Sequence, residues 1–188
     1  LDRQDTKFVF NQIQLPLILE KIKPLYKTLE IKNSSVFRYD NTYFDTDDFL
    51  FYKQHHNENR NRFKVRFRKY SATDDCFFEI KMKNNKNRTI KKRLKVRGRN
   101  SCLGESENYL VSDNIGLSPE ALSVKLNVNF SRITLADNNL NERLTIDTNL
   151  SVKNGISSKI FDQLVIAEIK QSKYNPKSEF IQILRELK

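Results

Sequence analysis

Three segments of this chain alternate basic and apolar residues with a period of two. In RNRFKVRFRKY, Arg62, Lys64, Arg66 and Arg68 fall on one side and Phe63, Val65 and Phe67 on the other. In TIKKRLKVR, Lys91, Arg93 and Lys95 oppose Ile90, Leu94 and Val96, and in CFFEIKMK, Glu79, Lys81 and Lys83 oppose Phe78, Ile80 and Met82. Successive strand side chains point to opposite faces, so each segment is a ribbon with one charged and one apolar side. Like charges on neighbouring strands repel. A polyanion held against the basic face is the economical way to offset that repulsion.

With 188 residues the chain is expected to form a single domain, residues 1–188. Lys and Arg number 34 against 23 Asp and Glu, a net charge of +11 and a pI near 9.6. That balance suits an acidic partner: nucleic acid, an anionic membrane or a phosphate polymer. Aromatic residues make up 11% of the chain, which with the periodicity indicates a folded domain and not a basic tail. Cys76 and Cys102 show no CxxC spacing, so neither a zinc site nor a disulfide framework is implied, and a reduced, cytoplasmic setting is expected. No apolar run reaches membrane-spanning length and no signal peptide is visible. A start at Leu1 instead of Met suggests a fragment.

Along the chain, Arg3 to Phe10 reads as a strand with Arg3, Asp5 and Lys7 on one face. Gln14 to Leu29 has helical spacing, with Pro16 suited to its first turn and Pro24 set to kink or end it. Strands follow at about 36–45, 49–56, 61–71, 75–83 and 88–97, with turns at Asn57–Asn59 and Asn84–Asn87. Glu105 to Ile115 reads as a helix, and Ser118-Pro119-Glu120 as a helix start. Further strands are expected at about 127–136, 141–150 and 163–171, then an amphipathic helix over Ser178–Leu187. The class is α+β: many antiparallel strands with a few helices packed outside. FFEIK at 77–81 is echoed by VIAEIK at 165–170, and YFDT at 43–46 by TIDT at 145–148.

A basic sheet can be flat or closed. A flat nucleic-acid-binding sheet displays aromatic rings among its cations for base stacking, whereas Phe63, Phe67, Phe77 and Phe78 read as lying mostly opposite the basic face. Core outside and charge inside favours a small barrel, wide enough for one slim ligand. Opposite charges about 4 Å apart gain roughly 4 kcal/mol at an effective dielectric near 20, which offsets the desolvation of several cations if the ligand is a string of phosphates. Glu79 and Glu168, on the same faces as the cations, would hold a divalent metal bridging those phosphates. The plainer reading is that each is salt-bridged to neighbouring lysines.

The stretches RQDTKFVF, TYFDTDDFLFYKQHH, NRFKVRFRKY, FFEIKMKNNKNRTIKKRLKV, FSRITLADNNLNERLTIDTNL and VIAEIKQ resemble, in order, the VTC domain of vacuolar transporter chaperone polyphosphate polymerases. That family is a branch of the triphosphate tunnel metalloenzymes, and the HHNENRNRFKV stretch resembles its bacterial members more than the eukaryotic ones. The resemblance implies a tunnel of antiparallel strands that binds triphosphate or polyphosphate with Mg²⁺ or Mn²⁺. By motif position it implies Lys7, Arg66, Arg68, Lys81, Lys91 and Arg132 as phosphate-binding residues, Arg93 and Arg143 as further wall residues, and Glu168 as the metal carboxylate. The family pattern continues, after a helix like Ser178–Leu187, into a strand bearing Ser-Lys-Tyr. Here Ser172-Lys173-Tyr174 precedes that helix and the sequence stops at Lys188. The expectation is a C-terminally truncated tunnel domain, short of one strand and low in activity.

The leading function is ATP-dependent polyphosphate synthesis, with Arg66, Arg68, Lys81 and Lys91 acting on the transferred phosphate. Such chemistry needs positioning and charge stabilisation more than a nucleophilic side chain. The alternatives are an inorganic triphosphatase on the same scaffold and a non-catalytic module binding polyphosphate or nucleic acid; nucleic acid is not expected as the partner. His55 and His56 are read as structural or surface residues, Asp45 as a turn acid, and Tyr43, Phe44 and Tyr52 as core.

Overall fold

The computed structural model describes residues 4–86 and 88–187; the expectations for Arg3, Asn87 and Lys188 lie outside them. The strands are β1 (Gln4–Asn11), β2 (Tyr26–Thr28), β3 (Val36–Asp45), β4 (Arg62–Tyr70), β5 (Cys76–Lys83), β6 (Thr89–Val96), β7 (Ser123–Asp137), β8 (Glu142–Lys153), β9 (Ser158–Phe161) and β10 (Leu164–Gln171). The helices are α1 (Leu15–Ile22), α2 (Leu50–His56), α3 (Glu105–Ile115) and α4 (Glu179–Glu186). The ten strands form one sheet in the order β1-β10-β8-β7-β3-β4-β5-β6, with β2 beside β7 and β9 beside β8. This is the expected α+β class. By contact density the chain divides into two compact units, one comprising residues up to Arg38, Phe130–Ser151 and from Ile160 on, the other Tyr39–Asn129 and Val152–Lys159.

In the first unit, β10 pairs antiparallel with β1 and with β8. Its alternate residues Val165, Ala167 and Ile169 are buried, and they cluster with Leu144 and Ile146 of β8, Ile18 and Ile22 of α1, and Phe180 and Ile181 of α4. Fully burying side chains of this size is worth about 1.5–3 kcal/mol each, so this face holds the helices and leaves the other face of β10 for Glu168 and Lys170. A polar knot ties α4 down: the buried Glu142 carboxylate accepts from the Ser178 hydroxyl at 2.8 Å, the Gln171 amide at 2.6 Å and the Tyr26 phenol.

In the second unit, β4 pairs antiparallel with β3 and β5, and β5 with β6. The apolar residues of the alternating ribbons make its core: Val65, Phe67, Phe78 and Ile80 are buried, with Phe51 of α2 and Val111 of α3 packed against them. Edge-on and tilted ring contacts link Phe44, Phe67 and Phe78 at 5.2–6.5 Å between centroids.

Four elements differ from expectation. The 49–56 stretch is helix α2, because Asp45 acts as an internal cap: its carboxylate accepts the backbone N–H groups of Phe51 and Tyr52 at 2.8 and 2.9 Å, while the Thr46 hydroxyl takes that of Leu50. Those are first-turn donors that a helix otherwise leaves unsatisfied. Tyr52 consequently points out, 61% exposed, and is not core. Helix α1 stops at Ile22, before Pro24, and Tyr26 begins a short strand instead of continuing the helix. Strands β2 and β9 had no sequence signal, being three and four residues long.

Candidate anion-binding faces

Strand register sorts the second unit's charged residues into cross-strand rows on one face. One row is Tyr43–Arg66–Glu79–Arg93; the next, two residues along, is Lys64–Lys81–Lys91; on the other side lies Asn41–Arg68–Phe77–Lys95. Arg66, Arg68, Lys81, Lys91, Arg93 and Glu79 are thereby brought together on β4, β5 and β6. Directly opposed like charges destabilise a sheet, so a row of three lysines across three strands needs compensation.

Part of it comes from Glu79, which is 1% exposed. Arg66 donates to Glu79 Oε2 from Nε at 3.0 Å and Nη2 at 2.7 Å, Lys91 Nζ bonds Oε1, and Arg93 Nε lies 3.7 Å from Oε1. Burial would raise its pKa, but Arg66 and Lys91 outweigh burial and hold it at about 2. The remaining Arg66 nitrogen, Nη1, donates to the Tyr43 hydroxyl at 3.0 Å. Burial pushes the Tyr43 phenol up, and Arg66, Arg68 and Lys64 more than reverse it, leaving its pKa below the ordinary value. Arg68 Nε donates to Asn41 Oδ1 at 2.7 Å. Burial and then the neighbouring Arg66 lower the Arg68 pKa.

One expectation about rings is corrected here. Phe63, Phe67 and Phe78 lie on the apolar side, but Phe77 shares the basic face, its ring centroid 3.3 Å from the Arg93 guanidinium carbon. Tyr39 and Tyr43 join it, with Arg68 and Arg66 over their rings at 5.4 and 5.8 Å. Strand parity alone puts Phe77 with Glu79 and Lys81, so this was readable from the sequence. The part played by Tyr43 was not, because a tyrosine in an apolar strand carries no signal of the guanidinium that will meet it.

The first unit carries its own charged face, on the side of β1, β8 and β10 away from the core. Lys7 is opposite Glu168, which is opposite Thr145; Asp5 is opposite Lys170, which is opposite Arg143. Lys170 Nζ bonds Glu168 and lies 3.3 Å from Asp5 Oδ2. Arg132 makes a two-pronged pair with Asp147, both contacts 2.6 Å. Burial raises the Glu168 pKa, and Lys170, with Lys7 and Arg132, brings it below the usual carboxylate value. Lys7, Arg132 and Glu168 thus share one electrostatic neighbourhood, and Arg143 is exposed at its margin.

The VTC domain family model matches residues 2–188. The chain belongs to the VTC domain family. No curated protein sequence matches it. Its fold is shared with solved structures of low identity. A Bacillus halodurans protein provisionally called an adenylate cyclase is 13% identical with a TM-score of 0.56, the match covering 100% of this chain and 89% of that one. A Hippeastrum protein, provisionally an adenylyl cyclase but with a dominant triphosphatase activity, is 14% identical with a TM-score of 0.56 over 97% of this chain and 85% of the other. A Vibrio parahaemolyticus protein, also provisionally an adenylate cyclase, is 10% identical with a TM-score of 0.52 over 97% and 85%. The VTC domain therefore has the triphosphate tunnel fold. No helix among its described residues is long and apolar enough to cross a membrane.

Among the described residues, no three His, Cys, Asp or Glu side chains are grouped to hold a metal ion. Around Glu79 the donor set does not fit a divalent cation, since both oxygens already face cationic nitrogens. Glu168 fits better: it is a hard oxygen donor engaged by one ammonium, Lys170, that a stronger charge could displace.

Lys81 gives this VTC domain a pH signature. Burial, then Arg66, Lys91 and Arg68, depress its pKa to about 8. Because the folded value lies below the unfolded one, the charged form destabilises the fold at neutral pH, and that cost is relieved as pH rises through about 8 towards the ordinary lysine range. The ligand-free protein should gain stability over that window while tripolyphosphate affinity falls, binding being accompanied by proton uptake near pH 8. Calorimetry in buffers of different ionisation enthalpy measures the uptake. Lys81→Met should abolish it, and an uptake unchanged in that variant would assign the proton elsewhere.

Proposed function

We propose that this VTC domain binds a triphosphate or polyphosphate chain along the basic face of β4, β5 and β6, and transfers the γ-phosphoryl group of ATP to a polyphosphate end. The observation that carries this reading is the Lys64–Lys81–Lys91 row beside Arg66 and Arg68, a cluster whose mutual repulsion a phosphate chain would relieve. Arg forks suit pairs of phosphate oxygens, while lysines supply point charge. Arg93 is a further phosphate contact of that face in this reading; within the first unit's own charged face, Lys7, Arg132 and Arg143 are proposed as anion contacts and Glu168 as the residue that would hold Mg²⁺ or Mn²⁺. When bound, such an ion neutralises phosphate charge and acts as a Lewis acid.

The chain's own residues then position and stabilise. The γ-phosphorus breaks its bond to the β–γ bridging oxygen and forms one to a terminal phosphate oxygen of the acceptor, releasing ADP. Arg66, Arg68, Lys81 and Lys91 hold the oxygens on which charge is spread, which is most of what phosphoryl transfer asks of a protein. A second reading, inorganic triphosphate hydrolysis with water as acceptor, draws support from the triphosphatase activity of the Hippeastrum neighbour. Incubation with ATP and Mn²⁺ separates them: lengthening products on a gel are expected, whereas free phosphate without chain growth establishes the hydrolase. Neither product, with tripolyphosphate still bound, leaves a binding module.

Glu168→Gln keeps the side chain's shape and removes its charge. Tripolyphosphate binding should persist within a few-fold, while metal-dependent turnover falls by two orders of magnitude or more. Retained turnover, or an anomalous Mn²⁺ signal remote from Glu168, would place the metal elsewhere.

A further inference from the structure

Helix α2 packs against the apolar side of the alternating ribbons, through Phe51. Beside it, wholly within the second unit, lies a cavity of about 900 Å³. Its volume falls at the upper end of the range for small-molecule sites. Much of the lining is hydrocarbon: Phe44, Phe63 and Val65 from β3 and β4, Phe51 from α2, and Leu126 and Val128 from β7. Phe44, Phe51 and Val65 are buried members of the second unit's core, and Phe51 and Phe63 lie 5.9 Å apart between ring centroids. These walls are therefore fixed by the packing that holds the fold.

The polar part of the lining is cationic. Lys64 and Lys125 both belong to it, with His55 and His56 of α2. Among the described residues on the lining the one carboxylate is Asp45, and both of its oxygens are turned into the helix cap, Oδ1 accepting from Phe51 N–H and Oδ2 from Tyr52 N–H. Lys125 pairs at 2.6 Å with Asp47, whose side chain is 95% exposed. An ion pair that open to water is worth little, so a second carboxylate can share or replace it. Phe49 stands at the same rim, its ring centroid 5.6 Å from Lys125 Nζ. It is 47% exposed at φ +60°, held there by the bond from its N–H to the Thr46 carbonyl at 3.0 Å. That left-handed conformation is rare for a bulky residue.

We propose that this cavity is a binding site for a single-chain anionic amphiphile of the fatty-acid class, its hydrocarbon among Phe44, Phe51, Phe63 and Val65 and its carboxylate on Lys125. Hydrocarbon walls favour an apolar body. The cations select a negative head, and the engagement of Asp45 in the cap leaves the lining without a free acid to repel it. Lys64 belongs to the row it shares with Lys81, so the head is assigned to Lys125. The inference does not use the phosphate-binding reading: the tail packs on the apolar side of the ribbons, whereas Arg66, Glu79 and Lys81 point from the other. Both ligands can therefore be held together.

Isothermal titration of the full chain with straight-chain carboxylates from hexanoate to dodecanoate, each below its micellar concentration, tests it. Affinity should rise about fourfold per methylene, the equivalent of about 0.8 kcal/mol for each buried CH₂, until the cavity is filled. Dodecanol should bind about tenfold more weakly than dodecanoate, because it lacks the charge that Lys125 meets. Lys125→Glu changes the rim and not the core, so it should fold as the parent does, which thermal melts verify, and should exchange the preference for dodecanoate for one for dodecylammonium. Saturating tripolyphosphate should leave dodecanoate bound. The chain-length series and the dodecanol comparison need only the parent chain. Affinity independent of chain length, dodecanoate binding unchanged in Lys125→Glu, or displacement by tripolyphosphate overturns the site. Binding to phosphatidylglycerol vesicles with none to monomeric dodecanoate overturns it too, in favour of a membrane-facing surface.

Discussion

Glu79→Gln should lower the melting temperature of the ligand-free VTC domain by on the order of 10 °C, and tripolyphosphate should restore most of the loss. Glu79 is the buried anion against which Arg66, Lys91 and Arg93 are all set. Removing one partner of a buried ion pair costs about 3–5 kcal/mol, because the remaining charges stay desolvated without compensation. Lys91 and Arg93 are more than a third exposed and can turn to solvent, which places the cost at the lower end. Arg66, 8% exposed, cannot. The depressed pKa of Glu79 carries the same stabilisation in pH form: it is fully present above the ordinary carboxylate range and is lost as pH falls towards about 2. A phosphate chain supplies the anion that the variant lacks, so the ligand-induced shift should grow. Circular dichroism melts with and without tripolyphosphate measure both effects. A variant as stable as the parent, or one with an unchanged ligand shift, would mean that Glu79 does not balance these cations.

The alternating ribbons at 61–71, 75–83 and 88–97 were legible because period two fixes which residues share a face, and pairing in register then carries the face across three strands. Even the echo between FFEIK and VIAEIK has a physical counterpart: Glu79 and Glu168 each bond a lysine on the charged face of their own unit. The 49–56 segment misled because the periodicity of DFLFYKQHH is short, while the decision was made by capping. Asp45 and Thr46 satisfy the first-turn donors, and that outcome depends on side chains outside the segment. Tyr43 and Tyr52 were misread for a related reason. Tyrosine has an apolar ring and a polar tip, and only the position of Arg66 in one case and the helix rotation in the other shows which end matters. The plain salt-bridge reading of Glu79 describes its present contacts; what the sequence could not convey is that three cations share one carboxylate.

Arg66→Ala and Arg68→Ala should differ in the ligand-free protein and agree in its response to phosphate. Arg66 satisfies both Glu79 and Tyr43, and hydrogen bonds to charged groups contribute about 1.5–3 kcal/mol, so its loss destabilises the fold by that order. Arg68 lies in a region that already disfavours its charge, through burial and then Arg66. Losing its bond to Asn41 and its contact with the Tyr39 ring is partly offset by relief of repulsion, so Arg68→Ala should cost the ligand-free fold less than Arg66→Ala. A ligand at a hundredfold excess over its dissociation constant stabilises a fold by about 2.7 kcal/mol, or roughly 5–10 °C for a chain of this size. Each single variant should lose part of that tripolyphosphate shift and the double variant nearly all of it. In the proposed reading Arg66 serves both the resting structure and the ligand and Arg68 chiefly the ligand, and the comparison separates those two roles. A tripolyphosphate shift that survives in the double variant would remove this face from phosphate binding. Apo stabilities in the reverse order would mean that Glu79 takes its compensation from Lys91 and Arg93 and not from Arg66.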